Sequence, residues 1–420
     1  AASESAYTES GKTHYPSNVL SYKEVTDEND ETVGVYTDKS GKTIAEFREM
    51  TTGSDLWTYY VYDDFGQLVF TISPKAFAQM DSMSTYAFSW TSTIFQDLIY
   101  GYKYDSKGRI TEQKIPGKDK EYFVYDNLNR LILSQDGNLR QSDRWKVNRY
   151  DVMGRLIATA LETFASPKSQ SAMQADVDAF YNSSNKNYEA FVGVDAGHPH
   201  GYTNRTYPVS IDSNDFLTIN YYNDYTFDKN DDVAFTADGD VSLTEYTDRT
   251  IGLSTGRKVR ILNTSPVNWL LSAVYYDKHQ RVVQAISENH LGGYDRISHK
   301  RYFPGWISRS KHIHNDGDTS VVEIRYYSLD HRGRITDMDY KIDEDVSFIM
   351  YSNKFNELGQ VIEKNLHGDI DLLTYWQSID YKYNIRGWLT NINYSNLNNQ
   401  NTVISYNQYL NNFEIVEGLV

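Results

Sequence analysis

The chain has 420 residues, of which 40% are hydrophobic and 23% charged; 36 are Tyr, 8 are Pro and none is Cys. No apolar run approaches the ~20 residues of a membrane helix, and a net charge of −16 leaves no basic footprint for nucleic acid. The missing thiols exclude disulfides, zinc-thiolate sites and Cys nucleophiles together, while so much Tyr favours sheets and so little Pro excludes a collagen-like or linker chain.

Taken in chain order, AASESAYTES (1–10) has neither an initiator Met nor an apolar signal core and reads as a mature or trimmed end. The cluster DEND (27–30) reads as a solubilising surface. Then a frame begins to recur. It is weak in TDKSGKTI (37–44) and full in VYDDFGQLV (61–69; Tyr62, Asp63, Gly66), KYDSKGRIT (103–111; Tyr104, Asp105, Gly108, Arg109), VYDNLNRLI (124–132; Tyr125, Asp126, Arg130) and RYDVMGRLI (149–157; Tyr150, Asp151, Gly154, Arg155). It returns in YYDKHQRVV (275–283; Tyr276, Asp277, Arg281) and KYNIRGWLT (382–390; Tyr383, Asn384, Gly387). Weaker copies are LDHRGRIT (329–336; Gly333, Arg334) and FNELGQVI (355–362; Gly359), and RYFPGWI (301–307) keeps only the Gly frame. Most copies are 21 to 28 residues apart, with one double period and one long interruption.

The frame has a mechanical meaning. Asp or Asn opens the turn and accepts a bond from the backbone two residues on; Gly three residues later supplies a positive φ; together they suit a type I turn closed by a one-residue bulge, which is a β-hairpin. Tyr125 and Arg130 are expected to lie close across the hairpin, with the guanidinium on the ring or on Asp126. Asn129 tolerates the Gly slot, but Gln280 costs roughly a kcal/mol there, so a longer or distorted turn is expected at 278–280. One hairpin cannot bury its own apolar face, so units must stack edge to edge. The fold class expected is mainly β: tandem antiparallel hairpins in a curved or spiralling strip or shell, with a small mixed α/β insertion. The expected parts are an N-terminal strip (1–160), an insertion (161–250) and a C-terminal strip (251–420) continuing the same sheet.

A helical or irregular piece is expected at 74–98. In the interruption, 166–182 predicts a helix with Ser166 as cap, Pro167 in the first turn and Met173, Val177 and Phe180 on one face. A turn-rich stretch (193–210), a strand (215–227) and an acidic exposed loop (227–240) follow. Insertions carry function more often than repeat cores, so a private ligand site would sit here.

With those residues in hand, the chain resembles the Rhs/YD-repeat family, through the YDxxGRL units, YYDKHQRVVQAISENHLGGYD (275–295) and IDYKYNIRGWLTNIN (379–393). The last two resemble its bacterial surface and secreted branch. The resemblance implies a β-strip winding into a hollow shell, as in the C components of insecticidal toxin complexes and in teneurins, enclosing a C-terminal effector domain of the same polypeptide, and it implies a secreted or cell-surface location. The family's closing core segment and toxin domain are not found before NNFEIVEGLV (411–420), so the resemblance implies the shell wall and neither protease nor toxin activity.

Chemistry is sparse. HIH (312–314) places His312 and His314 on one strand face, where Asp316 or Asp318 could complete a metal site, but a solvated strand face is the simpler reading, as an ordinary turn is for HPH (198–200). NDGDTS (315–320) and ADGDVS (237–242) lack the spacing and terminal Glu of a calcium loop, and GLSTGRK (252–258) lacks the Lys-Ser/Thr of a phosphate loop. There is no GxSxG elbow, and Asp369 with Asp371 reads as surface. No catalytic residue, metal or cofactor is expected. Trp57, Trp90, Trp145, Trp269, Trp306, Trp376 and Trp388 are expected to be mainly core, with an exposed ring surface for glycans as the alternative.

Overall fold

A computed structural model describes residues 19–393 apart from 29–30, 51–54, 84–86, 185, 196, 199, 244 and 371–373. The two terminal stretches 1–10 and 411–420, part of the DEND cluster, Pro199 and Asp371 therefore lie outside the described residues. The chain divides into two compact units, one built from 1–192 with 202–217 and one from 193–201 with 218–420.

The fold is mainly β, a strip of tandem antiparallel hairpins with few helices, as the repeat frame predicts. In the first unit eleven strands run from Ser21–Thr26 to Leu156–Thr163, and each pairs antiparallel with the next. The pairing register slips by one residue just before each turn, for example between Val61 and Tyr62, Lys103 and Tyr104, and Val124 and Tyr125. That slip is the bulge which the positive-φ residue of the turn demands. One sheet face is covered. Helices Pro74–Ser82 and Thr93–Leu98 replace a repeat at 74–98 and close over Phe70 and Ile99, burying Phe95 and Ala76 completely. Farther along, Val124, Leu133, Trp145, Val147, Ala158 and Ala160 are sealed on the same face, each large side chain contributing roughly 1.5–3 kcal/mol of burial.

The insertion helix is there, at Gln170–Ser183, but its cap is Ser169. Ser169 Oγ accepts from Ala172 N, and starting there turns Gln170 inward, where its side-chain amide donates to the Phe123 carbonyl. The buried stripe is accordingly Gln170, Met173, Val177 and Tyr181, so Tyr181 takes the place expected for Phe180.

The second unit carries twelve strands, from Phe216–Asn223, within which the unit boundary falls, to Leu389–Ile392, again paired consecutively. Its core forms where 225–246 lies on the sheet: Tyr225, Phe235 and Tyr246 pack their rings around Tyr275, and Val233 and Val241 are fully buried. The acidic stretch 227–240 is thus a cover anchored by Phe227, Val233 and Asp238, although most of its residues stay exposed as its charge predicts. Lys258 pairs with Asp228 at 3.0 Å and Lys311 with Asp240 at 2.6 Å, so strand cations neutralise the carboxylates while apolar neighbours anchor the segment. Beyond this cover no residue of Ile307–Asn315 or Tyr375–Tyr383 is fully buried, whereas the strands between them bury Ile324, Met338, Tyr340 and Ile349.

Candidate functional site

The residues singled out by the repeat frame all sit in one kind of turn. The amide of Asp63 donates to the Gln67 carbonyl and the amide of Gly66 to the Asp63 carbonyl, both at 2.9 Å. The same two bonds close the turns that begin at Asp38, Asp105, Asp126, Asp151, Asp277, Tyr302, Asp330, Asn356 and Asn384. The Asp side chain completes the motif. In the turn at Asp105, Oδ1 accepts the amides of Lys107 and Arg109, and Oδ2 accepts the Arg109 guanidinium at 2.7 Å. Asp126–Arg130, Asp151–Arg155, Asp277–Arg281 and Asp330–Arg334 repeat that arrangement at the same 2.7 Å. Burial opposes the charge of Asp330, yet the Arg334 amide and guanidinium hold its carboxyl down at about 2. Asp105 and Asp277 are lowered by the same balance.

The turn at Asp277 is not distorted. Its two backbone bonds are both 2.9 Å and Gln280 takes φ 62°, as Asn129 does at 63°. The stacked neighbours over-determine the turn, so the side chain accepts left-handed backbone instead of the turn lengthening.

The tyrosines do something the spacing alone does not show: at five turns they tie the repeat to the one before it, whereas Tyr276 bonds Ser254 O and the slots at Leu329 and Phe355 carry no hydroxyl. Tyr62 Oη donates to Thr43 O, Tyr104 to Leu68 O, Tyr125 to Ile110 O, Tyr150 to Leu131 O and Tyr383 to Val361 O, at 2.8 to 3.0 Å. In every case the acceptor lies five residues after the Asp or Asn that opens the preceding turn. Where Arg301 replaces the tyrosine, its guanidinium donates to Val282 O, the equivalent carbonyl. The cation is shared in the same direction. Arg109 lies over the Tyr125 ring at 4.5 Å, Arg130 over Tyr150 at 4.8 Å and Arg334 over Phe355 at 4.2 Å. Arg130 therefore bonds its own Asp126, one of the two partners expected for it, and stacks on the next repeat's ring. Each bond is worth about 1 kcal/mol and each stacked cation about 0.5–1 kcal/mol, small terms that recur along the strip.

One turn escaped the frame. Asn289 N donates to Gly293 O, Gly292 N to Asn289 O, and Asn289 Oδ1 accepts the amides of Leu291 and Gly293. The Asn-x-x-Gly signal was present, but Glu288 stands in the tyrosine slot and Gly293 in the arginine slot.

The largest polar network was not legible in the sequence. Arg149, one residue before the repeat tyrosine, is buried with Glu189 at 2.6 Å, and its guanidinium also reaches Thr206, Asn204 and Pro208. Glu189 further accepts the amides of Arg205 and Thr206. Burial holds the Arg149 guanidinium below its usual range, and the Glu189 carboxylate offsets that only in part. The network fastens the 186–212 segment to the strand.

His312 and His314 share a face, but Asp316 and Asp318 do not join them: Asp316 caps its own turn through the amides of Asp318 and Thr319. The histidines face Asp295 at 3.5 and 2.7 Å, and His312 lies 4.0 Å from Glu323. Among the described residues no group of three or more His, Asp or Glu is disposed to hold a metal ion. Asp238 and Asp240 of the other calcium-like run are taken by Lys311. Of the tryptophans, Trp145 is buried, Trp57, Trp90 and Trp269 are half-buried, and Trp306, Trp376 and Trp388 are exposed.

No known family model and no curated protein matches this chain. Among solved structures it is similar to the TcdB2-TccC3 complex, at 10% identity and a TM-score of 0.35 over 86% of this chain and 17% of that one. It is also similar to TcdB2-TccC3 without its hypervariable C-terminal region, at 11% identity, a TM-score of 0.35 and 89% and 17% coverage. A third likeness is to the Tc holotoxin pore of Photorhabdus luminescens, at 10% identity, a TM-score of 0.26 and 86% and 23% coverage.

Proposed function

We propose that this chain is a non-enzymatic wall segment of a larger exported protein of the Rhs/YD-repeat kind, secreted or held at the cell surface, whose strip encloses or presents another domain of the same polypeptide. The observation that carries the reading is the clamp in which five repeat tyrosines, Tyr62, Tyr104, Tyr125, Tyr150 and Tyr383, each bond the carbonyl left by the preceding turn. Such a clamp fastens successive hairpins within each unit, and it engages frame residues in cohesion. The strands Ile307–Asn315 and Tyr375–Tyr383, which bury no residue fully, are also suited to lie against something else. The test is to express the chain with whatever its gene encodes beyond Val420 and to follow limited proteolysis. An enclosed domain is cut far more slowly than the same domain alone; equal rates would refute enclosure.

A second reading has its own observation. Tyr22, Tyr36, Phe47, Trp57 and Tyr59 form a continuous run of rings across the first four strands, with centroids 4.7 to 6.4 Å apart, and the edge ring of Tyr22 is exposed. Flat rings of this kind stack on sugars. A glycan array comparing the chain with Trp57→Ala tests it; the absence of any hit that the substitution abolishes would discard it.

A further inference from the structure

The turns of the second unit have two positions that the frame does not use, and their occupants are unexpected. Turns 277–281, 302–306, 330–334, 356–360 and 384–388 close alternate strand connections of one antiparallel ladder, so they follow one another along a single edge, about 10 Å apart. They touch: a Cβ on Gly305 would lie 3.1 Å from Arg281 Nη1, one on Gly333 2.4 Å from the Trp306 ring, and one on Gly387 3.2 Å from Gln360 Nε2. The Asp–Arg pairs of these turns neutralise each other, leaving the tips to set the character of the edge. Those tips carry Phe303 at 98% exposure, Leu358 at 81% and Ile385 at 102%, with Trp388 at 62% beside them. A turn tip accepts any polar residue, so three large apolar side chains held out in water are not required by the fold. Between them stand Lys278, Arg332 and Arg386, against the single acid Glu357, on a chain whose net charge is −16.

The other edge of the same unit has the opposite charge. Its loops carry Asp316, Asp318, Asp343, Glu344, Asp345 and Asp369, and no Lys or Arg occurs among the described residues of 262–267, 289–293, 316–319, 343–347 and 369–370. Leu262, Leu291 and Val346 are exposed there too, so it is charge and rings that polarise the unit, from an aromatic, cationic edge to an acidic one.

We propose that the turn edge of the second unit docks on anionic lipid surfaces, with Phe303, Leu358 and Ile385 entering the headgroup boundary, Trp388 at its level, and Lys278, Arg332 and Arg386 on the lipid phosphates. The acidic edge then points away from the bilayer, and the charge separation sets the orientation before contact. This is peripheral attachment and involves no spanning segment. It stands independently of the shell reading.

The test uses the full chain in co-sedimentation with phosphatidylcholine vesicles with and without phosphatidylserine. The expected result is binding to the serine-lipid vesicles only, weakened by salt. Triple substitution Phe303→Ser, Leu358→Ser, Ile385→Ser lowers the partition coefficient by about tenfold or more, and Arg332→Glu with Arg386→Glu does the same at low salt. Val346→Ser, at a site 86% exposed on the acidic edge, leaves binding unchanged. The substituted side chains are solvent-exposed, so circular dichroism is expected to match the parent and a loss of binding reports the edge itself. Absence of binding at low salt, or binding that survives the tip and charge substitutions, overturns the proposal; so does loss in Val346→Ser of the same size. Capture of an acidic protein by the tips without any lipid binding would likewise overturn it.

Discussion

Two arginines nineteen residues apart, Arg130 and Arg149, each pair with a carboxylate in the first unit, and they do so in opposite ways. Arg130 reaches Asp126 four positions away, across a turn written in the local sequence; the carboxylate is sealed and the guanidinium side chain is 16% exposed. Arg149 reaches Glu189, forty positions away, and both are sealed from water. The first pair shapes a unit that recurs; the second fastens a particular cover to a particular strand. More exposed turn pairs such as Asp277–Arg281 contribute little individually because water competes for them, whereas breaking a buried pair strands a charge in a dry site.

That contrast can be broken first at its strong end. Arg149→Met is expected to cost about 3–5 kcal/mol in chemical denaturation, because Glu189 is left buried without its partner. Arg149→Met with Glu189→Leu should recover most of that loss; if the single substitution costs under about 1 kcal/mol, the network is not a fastening. Next come the turn backbones. Gly154 holds φ 77° and has open space for 4 Å around the place a Cβ would take, so Gly154→Ala costs about 1 kcal/mol through backbone conformation alone, while Gln280→Gly gains a similar amount. A gain absent at Gln280 would show that its neighbours relieve the strain.

The smallest effects are in pH. His299 is held below the usual imidazole range, first by burial and then by the Arg301 charge. Below about pH 6.5 the unfolded chain takes up a proton that the folded chain refuses, so stability falls as pH drops through that value. In His299→Gln this part of the pH dependence should flatten; an unchanged profile would contradict it. The turn carboxylates act lower. Asp105, Asp277 and Asp330 are depressed in the folded chain, so their contribution is present above the usual carboxylate range and is lost as pH falls toward the folded value, about 2 for Asp330.

The same contrast explains what could be read from the amino acids. Most turns could be located from the sequence, because Asp, Gly and Arg act within five positions of one another and each has one physical task, but the Asn289 turn and the regular backbone at Gln280 could not. The direction of the tyrosine was not, since nothing in YD-x-x-G says whether the hydroxyl serves its own hairpin or the previous one; only the register of neighbouring strands decides. At 166–182 the cap was expected at Ser166, but the inward turn of Gln170 puts it at Ser169. The anchoring of the acidic 227–240 segment was missed because charge was weighed over its interleaved Phe227 and Val233, and the strand cations that neutralise it lie dozens of residues away. Arg149 occupies a slot filled elsewhere by Val, Lys or Tyr, so its role was hidden by a variable position.

Cohesion between repeats is best measured by a double-mutant cycle on Tyr150 and Leu131. Tyr150→Phe removes the hydroxyl that bonds the Leu131 carbonyl, and an ester in place of the amide linking Leu131 to Ile132 weakens that acceptor. If the hydroxyl fastens one hairpin to the next, the two changes are coupled by about 0.5–1.5 kcal/mol, with Tyr150→Phe alone destabilising by a similar amount. Strictly additive effects, with Tyr150→Phe neutral, would mean that the hairpins merely sit side by side, and the wall would lose its fastening.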